Sequence, residues 1–225
     1  YICFGSEATT CPSDNLYRII GVFDDNNHGV TGEQLVKIIK NTSIGTYKWE
    51  GNGGINDWST ASLSATLNGE YLTNNLLSYS NKIATVTWKI GGFTNIDNKI
   101  STANAKNMFT NEFSSSKKTT EGKLGLMYVS DYGFATSSSN WSAYLINYEN
   151  ETIRNNNYLY SGLNEWTLTS YPGTDTSMWT VTANGSITDN NDVSNLMDTR
   201  PAFYLTSDTS YIRGSGTLAD PYRVN

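Results

Sequence analysis

The chain has few cysteines, histidines and charged side chains, and each shortage excludes a class of function. Of 225 residues only two are cysteine and one is histidine, which argues against a zinc site. Charged residues make up 16% of the chain and the net charge is -6. An acidic surface disfavours nucleic acid and anionic membranes as partners, because both require a basic face. No apolar run reaches about eighteen residues, so we expect no membrane insertion of this segment.

The residues that are abundant are Asn, Ser, Thr, Gly and Tyr, whereas the Lys and Glu that usually fill exposed helices are sparse. Asn, Gly and Ser favour turns, and Tyr, Trp and Thr favour strands. This composition predicts a β-rich, loop-rich protein, and its length suits a single domain over residues 1–225. Tyr combined with Ser, Gly and Asn is also typical of antibody-like binding loops, although a secreted β-protein without a ligand has a similar composition.

Cys3 and Cys11 lie close enough in the sequence to form a disulfide around a short N-terminal loop. Such a bond would place the chain in an oxidising compartment, outside the cell or at its surface. Two free thiols are the alternative. The chain begins at Tyr1 rather than Met, as an excised domain or a mature product would.

Hydrophobic periodicity predicts the order of helices and strands. The Leu16–Phe23 and Leu35–Lys40 segments should form a hairpin around a turn that contains His28. Asp57 has the chemistry of a helix N-cap, and the helix after it should reach about Leu77. A second helix is expected near residues 102–113. Further strands are predicted at residues 83–90, 124–129, 158–160, 165–169, 178–182, 200–206 and 211–212.

The late part of the chain alternates short strands with turns. Asn184-Gly185 is a strong hairpin signal, and the polar residues 188–195 resemble a connection between strands. Early helices followed by short strands and long loops predict an α+β fold with a loop-rich C-terminal third.

Several motifs give the chain a family resemblance. They are GLMYVSDYGFA at residues 125–135, GLNEWT at 162–167, TRPAFYL at 199–205 and GSGTLADP at 214–221. With these motifs the chain resembles a group of uncharacterised bacterial surface domains. That group is similar to the C-type-lectin-like fold in its formylglycine-generating-enzyme variety, which variable proteins of diversity-generating retroelements also use.

The resemblance implies two early helices, a mixed twisted sheet, paired N- and C-terminal strands and a ligand face built from late loops. The enzymes of this fold need two late cysteines beside the substrate, and no cysteine follows Cys11. Their oxidase chemistry is therefore not expected here. The Glu-Pro-Asn and Gln-Pro-Asp tripeptides of calcium-dependent lectins are also absent, so that sugar-binding mechanism is not supported.

The segment 171–195 is the predicted ligand surface. Rigid aromatic rings offer contact area at low entropic cost, and short polar side chains offer adaptable hydrogen bonds. The candidate ligand-binding residues are Tyr171, Thr174, Asp175, Ser177, Trp179, Asp189, Asn190, Asn191, Asp192 and Asn195. Two ordinary solvent-exposed loops are the alternative interpretation.

We expect structural roles for several other conspicuous residues. We expect Trp166 in the core and His28 in a solvated turn. Glu165 should either pair with Arg200, which precedes Pro201 at a strand entry, or accept backbone N–H groups. The oxygen-rich stretches 24–27 and 189–192 could bind calcium, but neither completes the pattern of a calcium loop. No cofactor is required.

The sequence as a whole predicts a non-enzymatic, adhesin-like domain that binds a surface protein or a glycan. Its hypervariability and its oligomeric state are left open. A structural pilus or surface-assembly subunit is the alternative. A glycan-active enzyme that uses Asp175 or Asp192 is a further hypothesis.

Overall fold

The computed structural model describes residues 1–51, 54–90, 101–114 and 118–224, with only the backbone of Asn190. The strands are β1 (Ile2–Cys3), β2 (Leu16–Phe23), β3 (Leu35–Lys40), β4 (Thr46–Tyr47), β5 (Val86–Ile90), β6 (Lys118–Gly122), β7 (Leu124–Gly125), β8 (Glu165–Ser170), β9 (Ser177–Val181), β10 (Ile187–Asp192), β11 (Met197–Asp198), β12 (Ala202–Tyr204), β13 (Tyr211–Arg213) and β14 (Tyr222–Val224).

The α-helices are short and lie mainly in the first two thirds of the chain. They are α1 (Asp25–His28), α2 (Ser62–Thr66), α3 (Ala105–Glu112), α4 (Val129–Phe134) and α5 (Glu151–Asn155). A π-helix (Leu67–Leu76) continues α2, and 3-10 turns occupy Ser13–Asn15, Leu77–Lys82, Ser138–Asn140 and Leu145–Glu149. Helices and sheets together confirm the predicted α+β class.

The first sheet has the strand order β13-β14-β1-β2-β3-β12-β7. Strand β1 pairs with β14 in parallel, with Ile2 opposite Tyr222, whereas β1 and β2 run antiparallel. The sheet is therefore mixed, and its first and last strands are neighbours, as the family resemblance implies. The Cys3–Cys11 disulfide is formed at the end of β1, which confirms the predicted pairing.

A second sheet has the order β10-β9-β8-β11-β4, and β5 pairs with β6 separately. Aromatic rings pack between these elements. Trp49 lies 4.9 Å from Trp58 and 6.0 Å from Trp166 between ring centroids, and all three are buried. The predicted core position of Trp166 is thus confirmed.

Several predicted elements match closely. Strands β2 and β3 form the expected antiparallel hairpin, and α3 lies inside the predicted range 102–113. Gly185 turns the chain between β9 and β10 with a φ of 93°, the left-handed conformation that favours glycine.

The first long helix begins later than predicted. Asp57 does not cap it: its Oδ1 accepts a hydrogen bond from the Ser59 amide at 3.0 Å, which closes a turn. Short polar side chains compete in this way with helical hydrogen bonds. The helix then starts at Ser62, after Ala61 as its N-cap.

Two predicted strands are wrong over most of their length. The strand at 124–129 ends at Gly125, and α4 starts soon after it, where Asp131 Oδ2 accepts a hydrogen bond from the Tyr128 amide at 2.8 Å. Residues 158–160 form no strand. The Asn157 side chain accepts from the Leu159 amide at 3.0 Å and donates to Tyr132 at 2.9 Å, which fixes a turn there.

The polar stretch 188–195, predicted as a connection, is mostly strand. Residues 187–192 form β10, with Ile187 opposite Val181 and Asp192 opposite Ser177. Its polar residues have no alternating apolar pattern, so no periodicity indicates a strand. The neighbouring β9, which is buried throughout, supplies the pairing partner instead.

Candidate ligand surface

Two of the predicted ligand-binding residues belong to the core. Ser177 and Trp179 lie on β9 and are buried, with Trp179 at 0% exposure. Strand β9 pairs along both edges with β8 and β10, and its consecutive residues Met178 and Trp179, which point to opposite faces of the sheet, are both buried. This burial corrects the assignment of both residues to the ligand face.

The other predicted residues remain at the surface. Thr174, Asp175, Asp192 and Asn195 are exposed, and Tyr171, Asp189 and Asn191 are partly exposed. The prediction for the Asn190 side chain falls outside what the structure describes.

The pairing of β9 with β10 brings the two halves of the predicted surface together. Asp192 lies opposite Ser177, and the Val193 amide donates to the Thr176 carbonyl at 2.9 Å. The loop before β9 and the turn after β10 therefore lie side by side. We call residues 171–176 and 192–196 together the late surface.

Asn56 holds the first of these loops in place. Its Nδ2 lies 3.1, 3.0 and 2.7 Å from the carbonyl oxygens of Tyr171, Thr174 and Ser177, and its amide donates to the Asp175 carbonyl at 2.5 Å. Sequence reasoning missed this residue, because a contact across more than a hundred residues leaves no local signal.

The turn after β10 is fixed by its own side chains. Asp192 Oδ1 accepts from the Ser194 amide at 2.8 Å and from the Ser194 hydroxyl at 2.6 Å. These hydrogen bonds lower the pKa of Asp192 below its ordinary value. Asp192 is therefore a charged acceptor at neutral pH, held in one orientation at the surface.

A polar groove of about 340 Å³ adjoins the late surface and is lined by Asn164, Thr182, Thr188, Asn191, Asn195, Leu196 and Met197. Asn191 Nδ2 donates to the Thr180 hydroxyl at 2.6 Å, which fixes its position at the groove. Leu196 is 64% exposed and adds an apolar contact. Neither Asn164 nor Leu196 was among the predicted residues. Asn164 belongs to the GLNEWT motif but precedes the predicted ligand segment 171–195, and Leu196 directly follows that segment.

The structure gives His28 and Glu165 interior positions. His28 is buried, contrary to the predicted solvated turn, because α1 turns its ring inward against Tyr204. Its Nδ1 accepts from the Val30 amide at 3.2 Å. Glu165 is buried and paired with Arg200, which confirms the first of the two roles expected for it.

Among the residues that the structure describes, no three His, Cys, Asp or Glu side chains cluster as metal ligands would. Over the same residues, no helix has both the length and the apolar character that a bilayer span requires.

Comparisons with protein-family models, with curated proteins and with solved structures find no match to this chain. The resemblance to C-type-lectin-like surface domains therefore stays a prediction.

Proposed function

We propose that this chain is an extracellular, non-enzymatic domain of C-type-lectin-like fold that binds a surface protein or a glycan through its late surface. Binding would be non-covalent and would need no cofactor. Polar groups of Thr174, Asp175, Asp192 and Asn195 would supply hydrogen bonds, and Tyr171 and Leu196 would supply apolar contacts.

This proposal rests on one observation: a buried strand positions exposed polar residues at one end of the second sheet. Strand β9 is buried in the core, whereas Thr174 and Asp175 before its start and residues 194–196 beyond the end of β10 face solvent. Asn56 and the Asp192–Ser194 turn hold these residues in place. A preorganised polar surface loses little conformational entropy on binding.

The proposal can be tested by screening the chain on arrays of glycans and bacterial or host surface proteins. A triple variant Thr174→Ala, Asp175→Ala, Asn195→Ala removes three exposed polar groups of the late surface. A matched control, Thr31→Ala, Asn81→Ala, Asp208→Ala, removes the same residue types from exposed positions elsewhere.

We expect wild type and control to bind the same probes, and the late-surface variant to lose them while keeping its circular dichroism spectrum. Equal binding by all three proteins would contradict the assignment of the ligand face. Binding of no probe by wild type would count against a binding function.

One observation favours a structural assembly subunit as a second candidate. An apolar groove of about 380 Å³ runs beside the edge of the first sheet, lined in part by Ile2, Val36 and Leu205. Edge strand β13 exposes Tyr211 and Ile212 by 63% and 56%. Exposed edges of this kind favour pairing with another chain.

Sedimentation of wild type and of Ile212→Lys tests this second candidate. An assembly role predicts concentration-dependent oligomers that the charged substitution abolishes. A monomer at every concentration, for both proteins, would count against it.

A further inference from the structure

A buried lysine and a buried aspartate face each other at the centre of the molecule. Lys37 Nζ lies 2.5 Å from Asp131 Oδ2, and the two side chains are 0% and 2% exposed. Lys37 lies on β3, whereas Asp131 lies in the first turn of α4, where its Oδ2 also accepts from the Tyr128 amide at 2.8 Å. Both groups are therefore held by rigid elements that are distant in the sequence.

Aromatic rings enclose the Lys37 amine. Its Nζ lies 4.4 Å from the ring centroid of Tyr128, and 5.3 to 5.7 Å from those of Trp88, Tyr204 and Phe23. These rings exclude water from the pair. The one hydrogen bond that Nζ makes, among the residues that the structure describes, goes to Asp131.

A second carboxyl group, Glu112, lies beside this pair. It is buried at the end of α3, accepts from the Thr169 hydroxyl at 2.5 Å and lies 3.3 Å from the amide of Ser130, the residue before Asp131. Burial raises the pKa of Glu112 to about 7, and the nearby charge of Asp131 adds to this rise. Glu112 can therefore hold a proton near neutral pH.

We propose that Lys37 and Asp131 condense into an intramolecular isopeptide bond, with Glu112 as the group that transfers the proton. This modification is independent of the late surface and of what that surface binds. It would join β3 of the first sheet covalently to α4.

The reaction is a condensation that consumes no other reactant. Transfer of a proton from the Lys37 ammonium to Oδ1 of the Asp131 carboxylate gives a neutral amine and a neutral acid, which a water-free interior favours over two charges. Burial also lowers the pKa of Lys37, which favours the neutral amine. The Nζ lone pair then attacks Cγ of Asp131.

The geometry places the reacting atoms close together. Since a carbon–oxygen double bond is about 1.2 Å long, Cγ lies within about 3.7 Å of Nζ, near the distance at which bound groups react. The Tyr128 amide, already donating to Oδ2, would stabilise the negative charge that develops on this oxygen.

The bond between Nζ and Cγ forms, and the bond between Cγ and Oδ1 breaks. Glu112 gives its proton to the departing hydroxyl group, which leaves as water, and takes a proton back from Nζ. The net change is one amine and one carboxylic acid converted to one amide and one water, with no change in oxidation state.

Intact mass spectrometry of the reduced wild-type chain, after prolonged incubation at neutral pH, tests the proposal directly. We expect the mass to be one water below that of the sequence. Tryptic peptides should show Lys37 joined to Asp131 and no cleavage after Lys37. A mass equal to that of the sequence would overturn the proposal, as would a water loss that maps to other residues. Lys37 and Asp131 would then form a buried ion pair without a covalent bond.

The chain contains its own control, because Lys82 and Asp208 lie 3.2 Å apart with 72% of the Asp208 side chain exposed to solvent. We expect no link there. Lys37→Arg should keep the full mass. Glu112→Gln should give a folded but unlinked chain, and a fully linked Glu112→Gln protein would overturn the role of Glu112 in proton transfer.

Discussion

Arg200 donates two hydrogen bonds to the Glu165 carboxylate inside the protein, from Nε to Oε1 and from Nη2 to Oε2, the second at 2.9 Å. Nη2 also donates to the Leu159 carbonyl at 2.7 Å. The pair connects the start of β8 in the second sheet to the residue that precedes Pro201 and β12 in the first. Glu165 and Arg200 are therefore structural, and they hold the two sheets together.

Replacing Arg200 with Ala should destabilise the fold strongly. The substitution leaves the Glu165 carboxylate buried without its charged partner, which typically costs about 3–5 kcal/mol. Urea unfolding of wild type and variant measures the difference. The double variant Glu165→Leu, Arg200→Met should recover much of the loss, since it removes both charges. An Arg200→Ala protein as stable as wild type would contradict the structural role.

Replacing Trp179 with Ala should lower stability rather than remove a ligand contact. Its ring is buried and packs 6.1 Å from that of Tyr171, and deletion of a buried Trp side chain costs about 3–5 kcal/mol. Thermal unfolding checks this, with the exposed Tyr144→Ala as control, for which we expect a change of about 0.5 kcal/mol or less. A stable Trp179→Ala protein that loses binding would return Trp179 to the ligand face.

Replacing Asn56 with Ala should loosen the loop 171–176 without unfolding the protein. The substitution removes the side-chain hydrogen bonds to the carbonyls of Tyr171, Thr174 and Ser177, which are partly buried or exposed, so we expect a cost of about 1 kcal/mol. Hydrogen exchange should become faster around Tyr171 and stay unchanged in β2 and β3. Asn74→Ala, at an exposed position, is the control. Unchanged exchange in the Asn56 variant would show that other contacts hold the loop.

Glu112 should make the protein less stable as the pH rises. Burial raises its pKa in the folded chain from 4.5 to about 7, so between these values the folded state keeps a proton that the unfolded state has lost. The contribution of Glu112 is complete below about pH 4.5 and is lost as the pH rises through about 7. Comparing urea midpoints at both ends of this interval for Lys37→Arg and for the double variant Lys37→Arg, Glu112→Gln, neither of which can form the isopeptide bond, isolates the effect. An identical pH dependence for both proteins would contradict the raised pKa.

Local sequence patterns predicted secondary structure correctly where the preferences of neighbouring residues agree with the fold. The strand-favouring residues of Leu16–Phe23 and the Asn184-Gly185 turn both predicted structure correctly, since each depends on the preferences of neighbouring residues. The pairing of Glu165 with Arg200 was one of two roles that the sequence left open for Glu165, and only the structure decides between them.

Long-range contacts explain what the sequence did not predict. Strand β10 has no apolar alternation and is a strand because β9 pairs with it. Asn56 holds the loop 171–176 in place through hydrogen bonds to carbonyl groups more than a hundred residues later in the chain. The burial of Lys37, Asp131 and Glu112 contradicts the usual exposure of charged side chains, and only the three-dimensional arrangement brings them together.

Hydrogen exchange of the chain with and without its strongest array probe tests the central claim most directly. A ligand held by the late surface should slow exchange of the amides in residues 171–176 and 192–196, and leave β13 and β14 unchanged. Protection confined to β13 and β14, with the late surface exchanging as in the free chain, would contradict the account.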